Sequence, residues 1–469
     1  MTRKPQNIGS RREIFVDRFL IDSLQGAELK LHRPVPAGAA LRFDRPWEGP
    51  FSFYGNVFMD GDKYLLYYRG WPDVDLKKAG AVACLATSDD GVHWKRPELG
   101  LFEVKGSRRN NVLLCGDEPV THNFCAFLDA RPGAPEAERF KAVGGSHKTG
   151  LLGFVSADGI HWRRIQEGPI LTIEKFGFDS QNVAFWSEAE GRYLLYFRTF
   201  HPQPDPTCKH GVRWVSRSES EDFLNWSEPV EMDAGDTPYE HLYTQQTHPY
   251  FRAPHIYIAL PARFMPGRCA LTEAQAAETG VHEKYWHDCS DTVLMTSRGG
   301  NRYDRTFMES FIRPGIGDEH WVSRTNYAGL GVVPTGPAEM SLFVNRRYAQ
   351  PAAYLERMTL RTDGFASLHA GYGGGETITR PVIFEGDELE INYATSAAGS
   401  VKFEVQDESG KPIPEFALDR ADEVLGDEIE RVVTWNGSSD VAALAGRPIR
   451  LRVLLKDADV FSLKFGTSA

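Results

Sequence analysis

Three acidic residues stand just upstream of an apolar, strand-forming stretch, where a side chain can project from the end of a strand. They are Glu48, Asp179 and Glu240. The first two are separated by 131 residues and the last two by 61. Carboxylates in such positions can exchange protons with a substrate or attack it. We therefore take these three as candidate catalytic residues.

Polar and aromatic side chains stand at comparable positions along the chain. They could bind substrate hydroxyl groups or stack on a ring, and they could equally be structural turn and core residues. The candidate substrate-binding residues are Trp47, Asn56, His122, Asn123, Gln181, Asn182, His241, Tyr243, Trp321, Arg324 and Asn326. The spacing of His122, His241 and His248 does not favour a metal site. We expect no metal and no cofactor.

Composition limits the partners of the chain. Its 469 residues carry a formal charge of −11, and the pI is about 5.7. An acidic balance argues against nucleic acid or an anionic membrane as partner. The hydrophobic fraction of 41% is that of a globular protein and excludes a disordered chain. The oligomeric state is left open.

The N-terminus and the cysteines indicate the compartment. The chain begins with a polar stretch and shows neither a secretory signal nor an apolar run long enough to cross a membrane. The six cysteines have no CxxC pair and no zinc-like spacing. We expect free thiols and a cytoplasmic location; a removed signal peptide is the alternative.

A short turn pattern recurs and organises the chain. Ser88–Trp94 and Ser156–Trp162 both read S-x-D-G-x-H-W, and weaker copies end at Trp226, Tyr303 and Phe365. In such a turn Asp accepts backbone N–H bonds, Gly supplies a positive φ, and Trp packs between sheets. Five copies at similar intervals predict a radially repeated fold.

A second repeat supports the first. Gly61–Arg69 and Gly191–Arg198 each give a turn followed by a tyrosine-rich strand. We therefore predict five four-stranded blades at about 50–100, 120–166, 178–230, 240–305 and 320–350. The segment Arg12–Asp17 is predicted to close the ring against the last blade. Helical character is best in Ala270–Thr279, within an insertion in the fourth blade.

The pattern of strands and turns in the sequence changes near Arg357. Short strands with alternating apolar and polar residues follow, separated by Gly and Asp turns, as in a β-sandwich. The predicted fold class is therefore all-β, with a five-bladed β-propeller at 1–352 followed by a β-sandwich at 353–469. We expect the second domain to pack beside the first, with carbohydrate binding as its alternative role.

A five-bladed propeller followed by a sandwich resembles the β-fructosidase and arabinanase superfamily, and above all its family-32-like glycosyl hydrolases. The resemblance covers nearly the whole chain and rests on the blade repeat, the turns and the trailing sandwich. It implies hydrolysis of a terminal, furanoside-type sugar from an oligosaccharide or glycoside in a central pocket. Cleavage passes through an oxocarbenium-like transition state and needs carboxylates on opposite faces of the sugar.

The same resemblance implies roles for the three acids. Glu48 would be the base or nucleophile, Asp179 would stabilise the transition state, and Glu240 would be the general acid. The superfamily motifs W-M-N-D-P-N-G, R-D-P and E-C are absent, which puts the Glu48 assignment in doubt and leaves Asp44 and Asp60 as rivals. Two alternatives therefore stay open: a non-catalytic carbohydrate-binding propeller, and a glycoside phosphorylase marked by converging arginines, for which the candidates are Arg198, Arg252 and Arg324.

Overall fold

The computed structural model describes residues 4–73 and 80–467, and nearly all of its regular structure is β. The chain divides into two compact units. The middle unit spans residues 34–359, and the terminal unit combines residues up to Arg33 with those from Leu360 onward. The predicted division had placed the N-terminal residues with the propeller, whereas here they belong with the C-terminal strands.

The N-terminal part of the terminal unit contributes four short strands. They are β1 (Gln6–Gly9), β2 (Glu13–Ile14), β3 (Ile21–Gln25) and β4 (Glu28–Leu31). Glu13 pairs with Leu463 and Ile14 with Ser462. The prediction that Arg12–Asp17 closes a ring against the last blade is therefore wrong, because the segment joins the C-terminal sheet.

The middle unit opens with a strand, β5 (Val35–Arg42), followed by three four-stranded antiparallel sheets. Each of the three is a meander in which sequential strands pair. The first contains β6 (Phe53–Asp60), β7 (Lys63–Gly70), β8 (Val82–Ser88) and β9 (Val112–Leu114). The second follows the helix α1 (Glu118–Thr121) and contains β10 (Cys125–Leu128), β11 (Phe140–Ser146), β12 (Gly150–Ser156) and β13 (Arg163–Arg164). The third contains β14 (Val183–Ser187), β15 (Arg192–His201), β16 (Val212–Ser220) and β17 (Val230–Glu231).

The fourth group is split into two three-stranded sheets. Its elements are β18 (His248–Tyr250), β19 (Ala253–Ala259), β20 (Ala262–Met265), α2 (Glu273–Thr279), β21 (Cys289–Val293), β22 (Met295–Ser297) and β23 (Ser310–Ile312). One sheet has the order β18-β19-β22 and the other β20-β21-β23. The helix prediction is confirmed by α2, where Thr272 and Gln275 form a capping box and Gly280 ends the helix with a φ of 67°.

The fifth group includes a strand from the beginning of the unit. It contains β24 (Tyr327–Ala328), β25 (Val333–Pro334), β26 (Glu339–Arg346) and β27 (Tyr354–Arg361), with β5 paired to β27. The strand from the beginning of the chain that pairs with β27 is thus β5 and not the predicted segment Arg12–Asp17. Pairing the first strand with the last leaves fewer exposed edges.

Hydrogen bonds connect each of the five groups to the next, and the fifth back to the first. They lie near the start of each group's first strand, where buried amide side chains and backbone groups meet. The contacts are Asn56 to the Ala126 carbonyl, Asn123 to the Ser180 carbonyl, Ser180 to the Tyr243 carbonyl, Gln246 to the Ala328 carbonyl, and the Leu330 amide to the Gly55 carbonyl.

The recurring turn has the same bonding in three of the groups. In the first, Asp90 Oδ1 accepts the backbone N–H groups of Val92 and His93, both at 2.8 Å. Asp158 and Asp222 do the same with the two residues at the same offsets. The third copy holds Phe223 at a φ of 69°, where the other two have Gly, so the bonds of the turn keep a strained conformation in place.

The C-terminal part of the terminal unit is a strand-rich segment with its own core. Its strands are β28 (Ala366–Ala370), β29 (Gly375–Thr379), β30 (Val382–Phe384), β31 (Glu388–Asp407), β32 (Asp427–Val432) and β33 (Ile449–Gly466). The long strands β31 and β33 pair antiparallel along most of their length. Their inward side chains alternate, as at Leu451, Val453 and Leu455, and form one buried cluster with Phe403 and Trp435.

Candidate functional site

Arginine and tyrosine side chains from all but one of the five groups gather near the starts of the first strands. We name this set the central cluster: Tyr54, Arg69, Arg198, Arg213, Tyr243 and Arg324. Tyr243 is at its middle. The guanidinium carbons of Arg198, Arg324 and Arg213 lie 4.4, 5.1 and 5.8 Å from the centre of its ring. Such distances allow cation–π attraction, which is stronger where water is excluded.

Local backbone geometry positions these side chains. Tyr54 and Arg324 both have a φ of 58°, a left-handed conformation that residues other than Gly adopt at a cost of about 1–3 kcal/mol. Phe178 and Gln246, near the starts of two other first strands, and Asn326, beside Arg324, share this conformation. Strain of this kind concentrates at functional sites, because the surrounding structure must enforce it.

Asp179 is the predicted acid that lies beside this cluster. Arg198 Nε donates to Asp179 Oδ1 at 2.8 Å, and a second nitrogen of the same guanidinium pairs with Oδ2. The Arg198 side chain is 4% exposed, whereas that of Asp179 is 34% exposed. The carboxylate is therefore fixed in orientation by a buried cation while part of it stays accessible to a ligand.

The arginines change the proton affinities around them. Burial raises the pKa of Tyr243, but the positive charges of Arg324 and Arg198 outweigh it and bring that pKa below its ordinary value. The pKa of His122 is held well below its ordinary value by burial and by Arg69, so this side chain is neutral at pH 7. The cluster thus combines fixed positive charge with a tyrosine that ionises more readily than usual.

Several polar atoms of this region have no hydrogen-bond partner in the parts of the chain that the structure describes. They are Arg69 Nε, Arg213 Nε, Arg324 Nε and the Tyr327 hydroxyl, all buried. An unpaired buried donor costs about 1–3 kcal/mol. These groups are free to pair with a ligand bound at the cluster.

Glu48 has quite different surroundings. Its side chain is fully buried, Arg96 binds both of its oxygens at 2.8 and 2.9 Å, and the Tyr68 hydroxyl donates to it at 2.6 Å. Trp47 packs in the hydrophobic cluster of this region and donates to Asn111. The expected base and the expected stacking ring are therefore both engaged in the core of the first group.

The rivals of Glu48 are engaged elsewhere as well. Asp44 lies 3.6 Å from Arg96 and is largely exposed, and Asp60 is paired with Arg139. Neither contact involves the central cluster. Tyr54, in β6, therefore belongs to the central cluster. None of the three candidates for the base (Glu48, Asp44 and Asp60) does.

Glu240 lies next to a separate cavity of about 590 Å³. Its carboxylate pairs with Arg305 at 2.6 Å and with Arg263 at 3.3 Å. Because side chains alternate along β20, Arg263 and Met265 line this cavity while Phe264 packs with Tyr243. We name this cavity the Trp321 cavity. Glu240 therefore lies on the opposite face of β20 from the central cluster.

The remaining predicted binding residues fall into three sets. Asn56, Asn123, Gln181, Asn182 and Asn326 are buried and bind mainly backbone carbonyl groups, so they join the five groups. Tyr243, Arg324 and His122 belong to the central cluster or contact it. Trp321 lines the cavity named after it, and His241 bonds Asp205.

Sequence reasoning missed Arg69 and Arg213 as site residues. A signal for Arg69 was present, since the two tyrosine-rich repeats end in Arg69 and Arg198 at equivalent positions. Arg69 and Arg198 each reach the central cluster from the second strand of their sheet. Of the three arginines predicted as a trio, Arg198 and Arg324 meet at Tyr243, whereas Arg252 lies in the turn between β18 and β19.

Within residues 4–73 and 80–467, no group of three or more His, Cys, Asp or Glu side chains is arranged to hold a metal ion. Neither helix in the described ranges has the length and apolar character needed to cross a membrane. All six cysteines are unpaired thiols.

Comparison with known proteins gives structural likenesses only. No protein-family model and no curated protein matches the sequence. The chain resembles glycoside hydrolases in fold. One solved structure described as a glycoside hydrolase is 12% identical, with a TM-score of 0.47, over 70% of this chain and 92% of its own.

Two further similar structures are those of enzymes whose descriptions name sugars. An N-acetylgalactosamine deacetylase from F. plautii is 13% identical over 72% of this chain and 96% of its own, with a TM-score of 0.48. A GH32 β-fructofuranosidase from Bombyx mori is 11% identical over 93% of this chain and 95% of its own, with a TM-score of 0.44. At these identities the likeness concerns the fold.

Proposed function

We propose that the protein is a glycoside hydrolase that cleaves a terminal sugar at the central cluster. In this proposal the five sheet groups are the blades of a five-bladed propeller, and the terminal unit is a β-sandwich. The circuit of hydrogen bonds from each group to the next, and from the fifth to the first, supports the ring. In such a ring the starts of the first strands face a shared axis.

One observation carries the proposal: a partly exposed carboxylate, Asp179, lies beside a cluster of arginines and tyrosines where these strands begin. Arg198 fixes the orientation of that carboxylate and leaves part of it accessible, and a carboxylate so placed can take a proton from water or attack the anomeric carbon. We assign Asp179 this role. Glu48 is left out because its two oxygens are both bound in the core.

The other side chains of the cluster suit a sugar substrate. Tyrosine rings can pack against the apolar face of a sugar, and guanidinium groups offer paired donors to its oxygens. Tyr285, from the insertion that contains α2, adds a ring 4.7 Å from the Arg324 guanidinium. A furanoside-type substrate is the expectation from the family resemblance, and it remains part of the proposal.

Phosphorolysis is the second candidate, and the arginines favour it. A phosphorylase needs one acid and a site for inorganic phosphate, and planar guanidinium groups match phosphate oxygens. Arg69, Arg198, Arg213 and Arg324 provide four such groups around Tyr54 and Tyr243. The product would then be a sugar 1-phosphate in place of the free sugar.

A substrate screen separates these outcomes. The purified protein is incubated with a panel of aryl furanosides, aryl pyranosides and short oligosaccharides, each with and without inorganic phosphate. Hydrolysis gives the free sugar in both conditions, whereas phosphorolysis depends on phosphate and gives a sugar 1-phosphate. Asp179→Ala should abolish either reaction. Cleavage that survives this substitution, or wild-type protein that binds sugars without cleaving any, would contradict the proposal.

A further inference from the structure

Cleavage of a glycosidic bond needs a proton donor for the leaving oxygen as well as a carboxylate. Around the central cluster, the carboxylates are already held in pairs. Asp179 is bound by Arg198, Glu240 faces the Trp321 cavity, and Asp205 bonds His241. Asp179 is assigned to the attacking water, and Glu240 lies on the far side of β20, so neither is placed to protonate the leaving oxygen. Among the residues that the structure describes, the donor must therefore be sought outside these carboxylates.

Tyr243 is the uncommitted hydroxyl at the middle of the cluster. Its residue is 8% exposed, and within the described parts of the chain its hydroxyl makes no hydrogen bond. The backbone is fixed on both sides, since the Tyr243 amide donates to the Ala262 carbonyl at 2.8 Å and its carbonyl accepts from Ser180 Oγ at 2.7 Å. The ring is therefore held while its oxygen remains available.

We propose that Tyr243 is the general acid of this site. This inference rests on the proposed glycoside cleavage. The phenolic proton passes to the glycosidic oxygen as its bond to the anomeric carbon breaks, and the aglycone leaves as an alcohol. Water adds to the anomeric carbon and gives its proton to Asp179. The tyrosinate regains a proton from solvent, and Asp179 releases one, so one water is consumed for each bond cleaved.

The arginines supply what a phenol needs to act as an acid. Arg198, Arg324 and Arg213 surround the ring at 4.4 to 5.8 Å and stabilise the negative charge that develops on the oxygen. Asp179 opposes them, and they outweigh it, so that the pKa of Tyr243 is lowered despite burial. The other titratable groups facing this ring are tyrosines: Tyr54, Tyr285 and Tyr327.

The leaving group provides the test. Tyr243→Phe and wild type are compared on two glycosides of the same sugar, one with an alkyl aglycone and one with a 2,4-dinitrophenyl aglycone, whose departure needs no proton. General acids contribute about 10²–10⁴-fold to rate. We expect kcat on the alkyl glycoside to fall by that factor, with less than a tenfold loss on the dinitrophenyl glycoside. The alkaline limb of the pH–rate profile should disappear with the hydroxyl.

A matched control is Tyr196→Phe. Tyr196 is fully buried and its hydroxyl has no partner within the described parts of the chain, but it lies in the core of the third sheet group, so its substitution should leave both rates unchanged. Absorbance at 295 nm during alkaline titration adds a measurement independent of activity: one tyrosine should ionise below the ordinary range, and Tyr243→Phe should remove it.

Two results would overturn the inference. Equal losses on the two glycosides would assign Tyr243 to binding or to the fold, and unchanged rates would remove it from the reaction. In both cases the wild-type protein still cleaves its substrate, so the proposed function stands. Wild-type protein without any glycoside-cleaving activity would instead overturn the proposed function and this inference together.

Discussion

Asp179 and Glu48 show how one chemical pairing serves two purposes. Each is an acid just upstream of the first strand of its sheet group, and each is bound by an arginine. Glu48 is fully buried and has both oxygens occupied, whereas 34% of the Asp179 side chain is exposed among other arginines and tyrosines. An acid–arginine pair leaves a carboxylate accessible to a ligand only when one side of it remains open.

The difference has an energetic consequence. A buried ion pair contributes little net stability as a whole, but removing one partner leaves an unpaired charge in the core. The Arg96 side chain is 15% exposed and would be that charge if Glu48 were neutralised. At Asp179 solvent reaches the carboxylate, but its partner Arg198 is 4% exposed and would also lose its counter-charge. Stability should therefore fall at both positions, whereas the reaction should respond only at Asp179.

The largest effect is expected from Asp179→Asn. The amide keeps the shape of the side chain but can no longer take a proton, so kcat should fall by about 10²–10⁴-fold. The melting temperature should also fall, because the buried Arg198 loses its charged partner. Steady-state kinetics and a thermal melt check both parts. A variant that unfolds easily but cleaves normally when folded would place Asp179 with Glu48 as a structural residue.

Glu48→Gln should lower stability without lowering activity. Loss of one partner of a buried pair costs about 3–5 kcal/mol, while kcat for each folded molecule should be nearly unchanged. Urea unfolding gives the free energy and active-site titration corrects the rate.

The double variant Glu48→Gln/Arg96→Met is the control for this effect. Removing the second charge should restore part of the lost stability, because the unpaired cation is then absent. No recovery would mean that the bond from Tyr68 to Glu48, at 2.6 Å, and not the charge pair, accounts for the loss.

The sequence could predict the repeated parts of the middle unit because local chemistry specifies them. The Ser88 and Ser156 turns, the tyrosine-rich strands and α2 all follow from short patterns whose bonds are made within a few residues. Even Phe223 fits, because the Ser220 and Asp222 bonds enforce the conformation for which Gly was expected. These features need no knowledge of distant contacts.

The site could be predicted only in part, because it depends on distant contacts. Sequence position alone does not show that Arg96 binds the Glu48 carboxylate. It also does not show that β20 and β18 belong to separate sheets. The split of the fourth group turns Glu240 to the far side of that strand. Asp179 and Arg324 stand at strand starts that reach the central cluster, and such positions could be read from the sequence.

A smaller effect is expected at that far side. Glu240→Gln should change kcat by no more than about twofold, since a substitution outside the site alters free energies by about 0.5 kcal/mol. Stability should decrease, because Arg305 is buried and loses a charged partner. A hundredfold loss of kcat with little change in KM would instead restore Glu240 as the general acid and contradict the role assigned to Tyr243.

The smallest effect concerns the repeated turn. There Asp222, in contrast to Asp179, is a carboxylate that serves only the fold. Its pKa is lowered to about 2: burial opposes the shift, but bonds from the Asn225 backbone and side chain and the Leu224 N–H outweigh it. A group whose folded pKa is depressed stabilises the protein above its unfolded pKa, near 4, and loses that contribution as the pH falls toward 2. Because the side chain is exposed, screening keeps the effect at about 1 kcal/mol or less. The difference in melting temperature between wild type and Asp222→Ala should therefore shrink between pH 5 and pH 2, and a constant difference would show that the turn does not depend on the ionised carboxylate.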